Sequence, residues 1–176
     1  MHPRGITRRL IVVPLANNDH GKTHIIGSLV RQGERRDIRV QRGSKMLISP
    51  WGRSIDALII PRSYQETLSA EFGPVEDALN AVDSSWRQRD LVILPSHLVP
   101  DDCETIIGLA HGAGFDAIAA SVLLESAEIT RFEQCLQLPW DERWTLANDR
   151  TTEPTALLDA LGHDLWAWIA AAVERR

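Results

Sequence analysis

The stretch Leu10-Ile11-Val12-Val13-Pro14-Leu15-Ala16-Asn17-Asn18-Asp19-His20-Gly21-Lys22-Thr23 decides how this chain is read. Its first six residues are an apolar run, as a strand buried on both faces requires. Residues 16–23 then fit a loose pattern: Ala or Gly, four residues of any kind, Gly-Lys, and Ser or Thr. An amphipathic pattern from Thr23 to Arg31 follows. Strand, loop and helix in that order give the segment a physical meaning. Successive backbone N–H groups of such a loop curl around an anion. The helix starting near Gly21 adds its unpaired N–H groups and the positive end of its dipole. A glycine lets backbone approach the anion closely, a lysine reaches the outer phosphates, and a hydroxyl ligates Mg²⁺.

Lysine usage sharpens the motif. The chain has two lysines, Lys22 and Lys45, against seventeen arginines, and one of the two stands where a compact, flexible point charge is wanted. Asp19-His20-Gly21-Lys22-Thr23 resembles the phosphate loop of translational GTPases of the elongation-factor-Tu type. Residues 16–23 as a whole are similar to the phosphate loop of the P-loop NTPase superfamily. The resemblance implies a nucleoside triphosphate, ATP or GTP, bound with Mg²⁺. Ala16, Asn17, Asn18, Asp19, His20, Gly21, Lys22 and Thr23 would form the cradle. Lys22 would also serve the reaction, and Thr23 would ligate the metal. No Asp-x-x-Gly loop follows a predicted strand, and with no lysine beyond Lys45 a guanine-reading Asn-Lys-x-Asp motif is impossible in the second half. The resemblance therefore reaches the superfamily and no family within it.

Outward from the loop, apolar runs alternate with amphipathic segments, which implies βαβ units and a mostly parallel sheet with helices on both faces. The first helix is expected to stop at Gly33, a natural residue just past a helix end. Met46-Leu47-Ile48 and Ala57-Leu58-Ile59-Ile60, joined by Ser49–Arg53, suggest an antiparallel ribbon beside the loop. Ser63-x-x-Glu66 and Asp101-x-x-Glu104 read as capping boxes, and Pro74 as the first residue of a helix. Val75, Ala78, Leu79, Val82 and Trp86 mark one buried stripe. Asp90–Pro95, Asp116–Leu124 and Arg143–Ala147 read as further strands. A C-terminal amphipathic helix from Thr155 buries Leu157, Leu158, Leu161, Leu165, Trp168, Ile169, Ala172 and Val173. Together with the resemblance, this predicts one α/β domain, 1–176, of three layers and P-loop NTPase-like.

A nucleotide site of this kind also needs an acid at a neighbouring strand end to hold Mg²⁺. The two best strands end instead in Pro61-Arg62-Ser63 and Pro95-Ser96-His97. Glu125 and Asp56 are the remaining metal candidates. Arg62 and His97 stand at carboxyl ends of strands, where open α/β sheets bind ligands. Arg62 can stabilise charge on a phosphoryl group, and His97 can act as a base or orient water. A salt bridge to Glu66 accounts for Arg62 as well, and a loop hydrogen bond for His97. His20 and His24 lie four apart, without a third ligand for a metal.

Charge is divided along the chain. Residues 1–62 hold twelve Lys and Arg against four Asp and Glu; residues 63–176 hold seven against twenty. The basic segment 31–53, with Arg31, Arg35, Arg36, Arg39, Arg42, Lys45 and Arg53, suits a phosphorylated or acidic ligand or a protein partner better than nucleic acid, and a solvated surface equally. Trp51, Trp140, Trp144 and Trp166 are candidate partner contacts or packing residues. Two cysteines, Cys103 and Cys135, make no disulfide framework, and the basic N-terminus lacks the run and cleavage site of a signal peptide. No segment is expected to span a membrane, so a cytoplasmic location follows. Three functions compete: an NTP hydrolase or nucleotide-dependent switch; a small-molecule kinase using 125–153, with Arg131, Arg143 and Arg150, as a lid; and a non-hydrolysing binding module.

Overall fold

The computed structural model describes residues 8–17, 21–37, 39–123, 129–147 and 154–174. Six strands form one sheet: β1 (Leu10–Leu15), β2 (Gly43–Ile48), β3 (Ser54–Ile59), β4 (Leu91–Ile93), β5 (Asp116–Leu123) and β6 (Glu142–Ala147), in the order β2-β3-β4-β1-β5-β6. β1 lies between β4 and β5 and is parallel to both, with Leu10 level with Leu91 and Asp116. All pairings are parallel except β2 with β3. The central strand is wholly buried because every residue of its run faces a helical layer.

Alternate residues of β1 enter different layers. Leu10 and Val12 pack with α1 (Lys22–Glu34) and α7 (Pro154–Glu174). Ile11, Val13 and Leu15 pack with α2 (Tyr64–Thr67), α4 (Val75–Val82), α5 (Pro100–Gly112) and α6 (Ile129–Leu136), among which α3 (Ser69–Phe72) is a further short turn. The crossover after β1 runs over one face towards β3; those after β3, β4 and β5 step the other way over the opposite face. One handedness of crossover produces both arrangements. The direction reverses between β1 and β4, which opens a crevice at their carboxyl ends.

α7 and α1 are in close contact. A Cβ on Gly162 would lie 2.5 Å from Ser28 Cβ and 2.6 Å from the Ile25 carbonyl oxygen, so only glycine lets the two backbones meet. Ser28 Oγ donates to the Asp159 carbonyl at 2.8 Å, and Trp144 of β6 lies against Trp168 at 4.9 Å. By length and composition α7 reaches what a membrane span needs, at mean hydropathy 1.2, contrary to the sequence reading. Its apolar face is instead part of the core: Leu165, Ile169, Ala172 and Val173 are fully buried.

Several local expectations change. α1 runs past Gly33 and ends at Arg35 in the left-handed conformation (φ 54°). Gly33 is needed for packing, since a Cβ there would meet Leu47 Cβ at 3.0 Å. The antiparallel ribbon exists, but at the sheet edge, with β4 between it and β1. Neither capping box forms: Ser63 and Val99 are the caps, and neither makes a side-chain cap bond. Ser63 Oγ is buried without a partner among the described residues, and Asp101 lies inside the first turn of α5. Trp86 is buried as predicted but in a separate 3-10 turn, Trp86–Gln88. Within the segment 125–153 the described residues 129–147 include α6 and β6.

Candidate phosphate-binding site

The loop after β1 is held to the loop after β4. Leu15 bridges to Ser96 in parallel register, and the Ala16 N–H donates to the Ser96 carbonyl at 3.3 Å. The Leu98 N–H donates to Asn17 Oδ1 at 3.4 Å. Gly21 then precedes α1 at φ 95° and ψ 4°, a left-handed conformation that a side chain would strain. Lys22 is buried, 6% exposed, and turns back over the loop. Its Nζ donates to the carbonyls of Ala16 and, at 2.8 Å, of Asn17. The ammonium thus sits against Ala16 and Asn17, the first two residues of the loop that the sequence assigns to phosphate. Asn18, Asp19 and His20 lie outside the described residues.

Thr23 is exposed and faces a cleft of about 490 Å³ between the start of α1, the approach to β2 and the end of β3. Arg31, Arg39, Pro61 and Arg62 line it with Thr23, and Gly27 forms part of the wall. The lack of a side chain at Gly27 makes room for Arg31, whose guanidinium nitrogen would lie 3.2 Å from a Cβ there. Arg31 donates to Asp159 Oδ1 at 3.2 Å, and His24 Nε2 lies 3.0 Å from the same oxygen. Glu66 does not pair with Arg62, since its Oε1 lies 3.2 Å from His97 Nε2. No acidic partner for Arg39 or Arg62 is found among the described residues.

His97 lies at the end of β4 but does not line that cleft. Its N–H donates to Gln65 Oε1 at 3.0 Å, while Gln65 Nε2 donates to Ser96 Oγ at 2.9 Å and Asp102 Oδ2 at 2.7 Å. Gln65 belongs to Arg62-Ser63-Tyr64-Gln65-Glu66, a stretch with the polar variety of a substrate-contact loop, although the sequence gives Gln65 itself no separate role. Asp56 belongs to the opposite edge: it is near the start of β3 and accepts two bonds from Arg89, at 2.8 and 3.0 Å. That ion pair takes it away from Thr23. Glu125 lies outside the described residues.

Mg²⁺ asks for oxygen donors, usually one or two carboxylates. Around Thr23 the described residues offer guanidinium groups instead, and no group of three His, Cys, Asp or Glu gathers among the described residues. Among the described residues, those around Thr23 do not fit the metal that the motif implies; Asp19 and Glu125 lie outside them. The basic segment is partly structural. Lys45 pairs with Glu34 at 3.2 Å, Arg35 donates to the Ser49 carbonyl at 3.1 Å, and Arg42 lies over the Phe72 ring at 5.9 Å. Trp140 and Trp166 are buried and Trp144 partly so, whereas Trp51 is 63% exposed on the β2–β3 turn. The chain matches no family model, no curated protein and no solved structure.

Proposed function

We propose that the chain binds a nucleoside triphosphate at residues 16–23 and works as a small NTPase or nucleotide-dependent switch. The observation that carries this reading is the segment from β1 to α1. A buried central strand leads to Ala16 and Asn17, a left-handed Gly21 precedes α1, and the buried Lys22 ammonium turns back onto the Ala16 and Asn17 carbonyls. Its position also supports the reading, because β1 and β4 send their crossovers over opposite faces at this point. In the bound state Lys22 leaves the carbonyls of Ala16 and Asn17 for phosphate oxygens, and the start of α1 supplies N–H groups. A cytoplasmic location is part of the proposal.

Calorimetry with ATP and with GTP tests it. Lys22→Ala should weaken the bound nucleotide at least about tenfold, since a charge-assisted contact contributes roughly 1.5–3 kcal/mol. No binding of either nucleotide by the unaltered protein at millimolar ligand defeats the proposal. A non-hydrolysing binding module is the second reading, favoured by the lack of a carboxylate beside Thr23 among the described residues. The kinase reading loses one support: Arg143 donates to the carbonyls of Leu136 and Leu138, both at 2.6 Å, and so braces the turn between α6 and β6.

A further inference from the structure

We propose that Arg39 and Arg62 hold the terminal phosphate of the bound triphosphate directly, in place of a carboxylate-held Mg²⁺. This inference rests on the nucleotide reading above and concerns the cleft beside the loop.

The cleft joins Thr23 to the arginines, so a phosphate reaching Thr23 enters their field. Arg31 is already paired, with Asp159 at 3.2 Å and Asp37 at 3.8 Å. Among the described residues the nearby acids Asp159 and Glu66 are likewise engaged, Asp159 with His24 and Arg31, Glu66 with His97. Arg39 and Arg62 are the cleft cations with no acidic partner among the described residues. Two such guanidinium groups repel each other and any metal cation, and an anion placed between them removes both penalties. Guanidinium is always charged and presents a planar fork of donors that matches phosphate oxygens. β4, the neighbour of β1, runs into Pro95-Ser96-His97 and delivers no acid at its end, and β3 beyond it runs into Pro61 and Arg62. β3 ends at Ile59, and Pro61 and Arg62 beyond it both line the cleft. The volume, about 490 Å³, admits a terminal phosphate with water around it. A diphosphate, lacking the terminal group, would leave both arginines unmet, so the cleft should distinguish triphosphate from diphosphate.

The experiment measures binding of ATP and ADP, and of GTP and GDP, in excess Mg²⁺ and again in EDTA. The proteins are the unaltered chain, Arg62→Ala, Arg39→Ala, the double variant and Arg62→Lys. Arg39 and Arg62 are exposed, so all variants should fold, which thermal melts verify. Triphosphate affinity should change by less than about threefold between Mg²⁺ and EDTA. The double variant should lose roughly tenfold or more in triphosphate affinity and about threefold or less in diphosphate affinity. Arg62→Lys should recover only part of the loss, because it keeps the charge and loses the fork. Triphosphate binding that disappears in EDTA overturns the proposal while leaving the nucleotide reading intact. Equal triphosphate affinity in the double variant and the unaltered chain overturns it as well. If no nucleotide binds under either condition, the nucleotide reading fails and takes this inference with it.

Discussion

An ion-pair cluster at the amino-terminal edge of the sheet contributes to how the protein responds to acid. Arg89 donates to Asp83 at 2.8 Å and to Asp56 at 2.8 and 3.0 Å, tying β3 to the end of α4. The Arg89 hydrogen bond holds the Asp83 carboxyl below its ordinary value, against the opposing effect of burial. A carboxyl lowered on folding stabilises the protein above its unfolded pKa, and that stability is lost as pH falls through the lowered value. The loss therefore belongs to the range below about pH 4. Asp141 adds to it: burial would raise its carboxyl, but the Ala117 N–H and His111 more than reverse this. Arg89→Leu should cost about 2 kcal/mol at pH 7, and clearly less at pH 3, below the ordinary carboxyl value, where the unfolded chain takes up the proton that the folded Asp83 resists. Urea unfolding at the two values gives both numbers, and an equal cost at each would remove the linkage. Cys103 is a second residue-scale case. Its hydrogen bond with the Cys135 thiol and its burial both push its thiol up. It should resist thiol reagents in the folded state and react only on unfolding, and fast labelling of the native protein at Cys103 would contradict that.

At the scale of elements, the packing of α1 on α7 matters most to the site, because α1 carries Lys22 and Thr23. Gly162 permits the approach, and Ser28 and Arg31 bond across to Asp159. Gly162→Ala gains up to about 1 kcal/mol of helix propensity. It also forces a methyl group against the Ile25 carbonyl, where overpacking costs typically 1–3 kcal/mol. The second effect should win, since backbone has little freedom to give way. A net loss of about 1–2 kcal/mol is expected, read as a lower melting temperature. A variant as stable as the parent would mean that the two helices separate freely.

For the molecule as a whole, the sheet order puts three loop ends at one edge: those after β1, β4 and β3. Ligand binding there should be felt where those loops meet and not across the sheet. Hydrogen exchange with and without a non-hydrolysable triphosphate should show added protection in 16–24, 39–42 and 61–66. Residues 129–147 should change little, as they are already a helix and a paired strand. Protection concentrated in 129–147 would return the kinase reading to the front.

The sequence alone determined the strand–loop–helix at 10–34, the alternation that makes the sheet mostly parallel, and the long final helix. These depend on local properties: apolar periodicity, a glycine before a helix, a lysine kept in a chain that otherwise uses arginine. It also located Arg62 at a strand end. Caps were less legible, because Ser63 and Asp101 carry the right side chains but the cap bonds are not made. Tertiary structure alone decided which strand lies beside which. It put β4 between β1 and the ribbon, sent Asp56 to the far edge with Arg89, and brought Arg39 and Arg62 together in one cleft with Thr23. The reason is that strand order and ion pairing depend on contacts between residues far apart in the chain, and no local pattern encodes which partner such a residue will meet.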